Sequence, residues 1–129
     1  MQTEELLTLV NQIQTQQCES QTIEVKAAHN GGPTRLFDTL SGFANQDDGG
    51  VIVFGLDENS DFKVVGVYNP QDLQKKVTEQ CKQMEPVVRP LFTVCTIGDH
   101  TIVSAEIPSM DADKRPVFYK GVGRIKGSY

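Results

Sequence analysis

The segment from Leu40 to Gly55 constrains the fold most strongly, because it contains the end of a helix, a polar turn and a buried strand. The turn includes Asn45, which favours turns over helices, and the pair Gly49–Gly50, which permits the positive φ of a sharp turn. Residues 51–54 form an uninterrupted apolar run, typical of a strand covered on both faces. Such a junction places polar groups at one edge of a sheet, where functional sites are often built.

Hydrophobic periodicity predicts the other elements. Apolar residues at helical spacing predict helices over residues 3–14 and 33–44. They predict a third helix that starts at Asn69–Pro70 and is ended by Pro86. Alternating or continuous apolar runs predict strands over 22–25, 51–56, 63–67, 91–97, 101–107 and 116–119. This order predicts an α+β domain, a mixed β-sheet of about six strands with about three helices packed on it.

Composition limits the class of protein. The 129 residues predict a single domain over 1–129, and 38% hydrophobic with 22% charged residues is typical of a globular chain. The sequence has no apolar run long enough to span a membrane, and its first residues lack the basic and apolar regions of a signal peptide, so neither feature is expected. Three cysteines without a CxxC motif fit the reducing cytoplasm, and with two histidines they argue against a zinc site.

Charge is unevenly distributed along the chain. A net charge of −5 argues against a surface that binds polyanions everywhere. The end of the sequence is nevertheless rich in cations, namely Lys114, Arg115, Lys120, Arg124 and Lys126. Any one of them is most simply a solvated surface residue, but together they are the candidate phosphate-binding patch of the sequence.

Several short motifs occur together in this chain. They are Glu19, Glu24-Val25-Lys26, the turn 42–50, the strand end Phe54-Gly55-Leu56-Asp57, Val65-Gly66, Ile107-Pro108 and Arg115-Pro116-Val117-Phe118-Tyr119. Together they resemble the Schlafen/Alba-type DNA-binding domain of bacterial transcriptional regulators and of animal Schlafen proteins, once described as a divergent AAA-type ATPase. The chain departs from the pattern at Gly42, where alanine is usual, and in a turn one residue longer. It lacks GxxxxGK[ST] for binding nucleotide phosphates.

The resemblance implies an Alba-like fold and a DNA-binding role in a cytoplasmic bacterial regulator, of which residues 1–129 would be an N-terminal fragment. A basic edge would then contact phosphates without reading bases. Its residues would be Lys26, Arg35, Lys114, Arg115, Lys120, Arg124 and Lys126. Asn45, Gly49 and Gly50 would form the motif turn. DNA and RNA both stay open as partners, and a homodimer is expected because Alba-like domains tend to pair.

The Schlafen branch of the resemblance implies an enzymatic alternative, a metal-dependent ribonuclease. Glu19, Glu24 and Asp57 occupy positions similar to its catalytic acids, and Glu58 is an equally good third member. Carboxylate oxygens are suitable ligands for Mg²⁺ or Mn²⁺, and no other cofactor is expected. Against this, Glu19 and Asp57 are typical loop and turn residues, and Glu24 with Lys26 forms an ordinary same-face pair.

A third alternative is a protein-interaction or oligomerisation domain without a nucleic-acid role, which the net charge of −5 leaves open. The three hypotheses share one structural expectation. The central strand should bring the early carboxylates and the late cations to a common rim of the sheet.

Overall fold

The computed structural model describes residues 1–17, 19–29 and 35–121. Three α-helices lie in these ranges, α1 (Thr3–Gln16), α2 (Phe37–Ala44) and α3 (Pro70–Lys82), with a short 3₁₀ turn at Ala112–Lys114. The strands of the same ranges are β1 (Ile23–Lys26), β2 (Gly50–Phe54), β3 (Leu56–Asp57), β4 (Lys63–Val64), β5 (Met84–Glu85), β6 (Leu91–Ile97), β7 (His100–Ile107) and β8 (Phe118–Tyr119).

The central sheet has the strand order β1-β2-β7-β6. β1 runs parallel to β2, with Val25 opposite Val53, whereas β7 runs antiparallel to both of its neighbours, β2 and β6. Two small antiparallel ribbons complete the described part of the fold, β3–β4 and β5–β8. The α+β class, the mixed sheet and the three helices are therefore confirmed, with the strands divided between a four-stranded sheet and two ribbons.

Both faces of the central sheet are covered, which explains the continuous apolar run of β2. Ile52 and Phe54 pack with α2 and α3 on one face. Val53 and Ile102 pack with α1 on the other. Cys81 and Cys95 lie in these two cores, and burial raises the pKa of the Cys81 thiol to about 12, so this thiol stays protonated.

Local signals set the helix boundaries. Asn69 caps α3 by accepting a hydrogen bond from the Asp72 amide at 3.0 Å, and Pro70 follows as the first helical residue. α1 continues to Gln16 and ends where Gln17 adopts φ +54°. α2 begins at Phe37, whereas the predicted start at Pro33 lies outside the described residues. In the described ranges, none of the helices is both long and apolar enough to span a bilayer.

Candidate functional site

Asn45, in the motif turn, holds a distant segment of the chain. Its side-chain amide donates a hydrogen bond to the Val117 carbonyl at 3.0 Å, and its carbonyl accepts one from the Val117 amide at 2.7 Å. The Asn45 side chain thus satisfies both backbone groups of Val117, which is fully buried. Asn45 therefore fixes the chain just before β8 instead of facing a ligand.

Gly49 and Gly50 are required by close packing. Gly49 has φ +64°, and a Cβ atom there would lie 2.4 Å from the Ile107 carbonyl oxygen. A Cβ atom at Gly50 would lie 2.3 Å from the Phe43 ring. Both glycines are buried, so this turn is a packed corner of the fold and offers no open backbone cradle for a phosphate.

Carboxylates gather beside the edge strand β1. Glu24 and Lys26 form an ion pair at 3.2 Å, as their two-residue spacing predicts. Glu19, which precedes β1, shares a hydrogen bond with the Glu24 carboxyl group and accepts one from the backbone of Val25. The charge of Glu58 also acts on Glu19. We call Glu19, Glu24, Lys26 and Glu58 the acidic cluster.

The acidic cluster favours protonation of Glu19. Burial, then the hydrogen bond and the negative charge of Glu24, raise the pKa of Glu19 from 4.5 to about 7. Burial also raises the pKa of Glu58, against the lowering effect of Lys26. Glu19 therefore retains its proton up to about neutral pH.

The third predicted acid, Asp57, has a local partner. Its Oδ1 accepts a hydrogen bond from the Asn59 amide at 3.0 Å, which stabilises the β3–β4 turn. In the ranges that the structure describes, no three histidine, cysteine or acidic side chains are arranged to hold a metal ion. The carboxylates have suitable chemistry for Mg²⁺ or Mn²⁺, but an arrangement with Glu24 paired to Lys26 does not fit either metal.

The described late cations lie in separate ion pairs, whose acidic partners are not residues of the acidic cluster. Arg115 Nη1 contacts Asp47 at 3.0 Å, and its Nε donates to the Met110 carbonyl at 2.8 Å, so this half-buried side chain ties the motif turn to the loop before β8. Lys114 pairs with Asp111 at 3.9 Å and Lys120 with Glu85 at 3.8 Å. Among the predicted basic residues that the structure describes, Lys26 forms its ion pair with a carboxylate of the acidic cluster, Glu24. Arg124 and Lys126 lie outside the described residues.

One end of the β5–β8 ribbon gathers three exposed cations. The Lys120 ammonium lies 3.5 Å from the Lys82 carbonyl oxygen, and Lys120 also bonds through its backbone to Gln83 at 3.1 Å. Arg35 precedes Leu36, whose backbone amide donates a hydrogen bond to Gln80 Oε1 at 2.6 Å. Gln80, like Lys82, lies in the last turn of α3. Arg35, Lys82 and Lys120 therefore lie at the same end of the ribbon.

The other end of the ribbon carries Arg89 and Lys114. Both line a groove of about 370 Å³ between the loop after β5 and the loop before β8. Because an extended chain advances at most about 3.5 Å per residue, Lys114 and Lys120 lie within about 20 Å of each other. We call Arg35, Lys82, Arg89, Lys114 and Lys120 the ribbon face. Sequence reasoning missed Lys82 and Arg89, because no motif marks the two-residue pairing of β5 with β8.

Comparison with known proteins assigns the family. The family model described as Schlafen, AlbA_2 matches residues 19–126. The chain belongs to the Schlafen, AlbA_2 family. No sequence among the curated proteins gives a significant match.

Two solved structures share the fold of this Schlafen/AlbA_2 domain. One is the N-terminal domain of a protein from Nitrosomonas europaea named as ATP-dependent DNA helicase RecG-related, with TM-score 0.71 and 24% identity, covering 95% of this chain and 84% of that chain. The other is the DIP2311 protein from Corynebacterium diphtheriae, with TM-score 0.56 and 14% identity, covering 92% of this chain and 24% of that one. At these identities the two structures establish the fold alone.

The family motifs of this Schlafen/AlbA_2 domain have two roles. Asn45, Gly49 and Gly50 shape the corner, as described above. Glu19, Glu24 and Lys26 form a half-buried polar group beside the edge strand β1. The cations of the ribbon face lie mostly outside these motifs.

Proposed function

We propose that this Schlafen/AlbA_2 domain binds nucleic acid by contacting phosphates with the ribbon face. The proposal rests on five exposed cations that lie at the two ends of one short ribbon. Two acids, Glu85 and Asp111, form ion pairs with these cations, so the positive charges outnumber the paired negative ones. A protein with net charge −5 can bind a polyanion if its cations are segregated in this way.

The spacing of the cations supports contact with a phosphate backbone. Lysine and arginine side chains at both ends of the two-residue ribbon, with Lys114 and Lys120 at most about 20 Å apart along the chain, can reach more than one phosphate of one strand. Such contacts position a protein on nucleic acid but do not read its sequence. We infer that the domain is the nucleic-acid-binding module of a cytoplasmic bacterial transcriptional regulator. The DNA helicase in the name of the Nitrosomonas relative is consistent with this class of partner.

The test measures binding of a labelled 20-nucleotide DNA, single-stranded and duplex, at several salt concentrations. The double variant Lys82→Ala with Lys120→Ala removes two phosphate contacts. The plot of log K against log salt should therefore become less steep, its negative slope shrinking in magnitude by about 1.5 to 2. Lys63→Ala with Lys76→Ala is the matched control, because it changes the net charge equally at exposed sites outside the ribbon face. Equal slopes and affinities for the two double variants would refute the proposal.

A metal-dependent ribonuclease is the second candidate, favoured by the approach of Glu19, Glu24 and Glu58. It ranks lower because Lys26 pairs with Glu24 and Asp57 bonds within its own turn. Incubation of a structured RNA with Mn²⁺ and the protein tests it. Cleavage that Glu24→Gln abolishes would establish the nuclease. Intact RNA would exclude this activity on that substrate. The absence of nucleic-acid binding, together with a concentration-dependent homodimer, would favour the protein-interaction alternative.

A further inference from the structure

The groove at the Arg89 end of the ribbon face combines apolar walls with a cationic rim. Pro86, Val88, Pro108 and Met110 provide the walls, and Arg89 and Lys114 stand at the opening of a cavity of about 370 Å³. Val88 is buried and Met110 is half-buried, so the floor belongs to the folded core. Ser109 lines the groove with an exposed side chain.

The two cations at this opening are available to a ligand. Among the residues that the structure describes, no carboxylate forms an ion pair with Arg89. Lys114 pairs with Asp111 only at 3.9 Å, and both side chains are more than half exposed. Solvent-exposed pairs of this kind are weak, so an incoming phosphate can replace Asp111.

We infer that this groove holds one unpaired nucleotide, its base against the apolar walls and its phosphate between Arg89 and Lys114. This inference rests on the proposed function and adds to it a preference for single-stranded nucleic acid. A free phosphate would leave the apolar walls exposed to water, and a purely apolar ligand would have no partner for the cations. A nucleotide satisfies both requirements. A base within a duplex is stacked and paired, and it would have to leave the helix to enter.

The test separates the base from the phosphates. A labelled 12-nucleotide dT strand is compared with an abasic strand that has the same number of phosphates. We expect the protein to bind the dT strand about tenfold more tightly, the effect of burying part of one base against apolar side chains. Ser109→Trp fills the groove without changing any charge, so it should abolish this preference. Ser60→Trp, at an exposed turn position, should retain the preference.

An rU strand tests RNA in the same way. The inference is supported if the protein binds either the dT or the rU strand more tightly than the abasic strand. Equal affinities for dT, rU and abasic strands overturn it, as does a preference that survives Ser109→Trp. Those results leave the phosphate-binding proposal intact if Lys82→Ala with Lys120→Ala still weakens binding. Failure of every strand and duplex to bind overturns both proposals.

Discussion

Glu19→Gln provides the sharpest test of the acidic cluster. Glutamine resembles the protonated glutamate, because its amide group can donate to the Glu24 carboxylate while its carbonyl accepts from the Val25 backbone. The variant therefore keeps both hydrogen bonds of Glu19 and cannot ionise. We expect it to be more stable than the wild type above neutral pH and equally stable in mild acid.

The sign follows from linkage between protonation and folding. Folding raises the pKa of Glu19 from 4.5 to about 7, so the folded state holds this proton more tightly than the unfolded state. The stabilisation is complete below pH 4.5 and is lost as the pH rises to about 7. The whole shift corresponds to about 3 kcal/mol. Solvent screening at this partly exposed site reduces the expected effect to about 1 kcal/mol.

The assay is urea unfolding of the wild type and of Glu19→Gln at intervals from pH 5 to pH 8. The variant should gain about 1 kcal/mol over the wild type at pH 8, or about 4 °C in melting temperature, and only a small fraction of this at pH 5. Glu79→Gln, at an exposed position of α3, should show a difference that does not change with pH. A Glu19→Gln difference that is constant over this range, or destabilising at pH 8, would refute the raised pKa of Glu19.

Two further predictions concern the motif turn. Asn45→Ala leaves both backbone groups of buried Val117 without their partner, so urea unfolding should show a loss of about 2 kcal/mol, whereas Asn45→Asp retains the acceptor and should lose less. Gly49→Ala combines a left-handed φ of +64° with a contact of 2.4 Å to the Ile107 carbonyl, and thermal unfolding should show a loss of at least about 2 kcal/mol. Gly42→Ala, where a Cβ meets no atom within 4 Å, is the control and should not destabilise the domain.

Sequence patterns predicted the elements whose signal is local. The apolar run of β2, the hairpin of β6 with β7 and the pairing of Glu24 with Lys26 depend on neighbouring residues, and all of them are present. Contacts between distant segments could not be predicted. Asn45 bonds to a residue 72 positions later, and Arg115 bonds to one 68 positions earlier. No local periodicity encodes such partners, so the sequence predicts Arg115 only as a phosphate contact and does not reveal its contact with Asp47 in the motif turn.

These distant contacts connect the motif turn to the ribbon face. Lys114 and Lys120 lie on either side of a segment that the fold holds at two points, Arg115 to Asp47 and Val117 to Asn45. The turn therefore acts on the proposed binding surface by positioning the chain that carries two of its cations. Through this arrangement the motif can affect the proposed nucleic-acid binding although its glycines are buried. It also implies that Asn45→Ala should weaken binding even at temperatures where the variant remains folded.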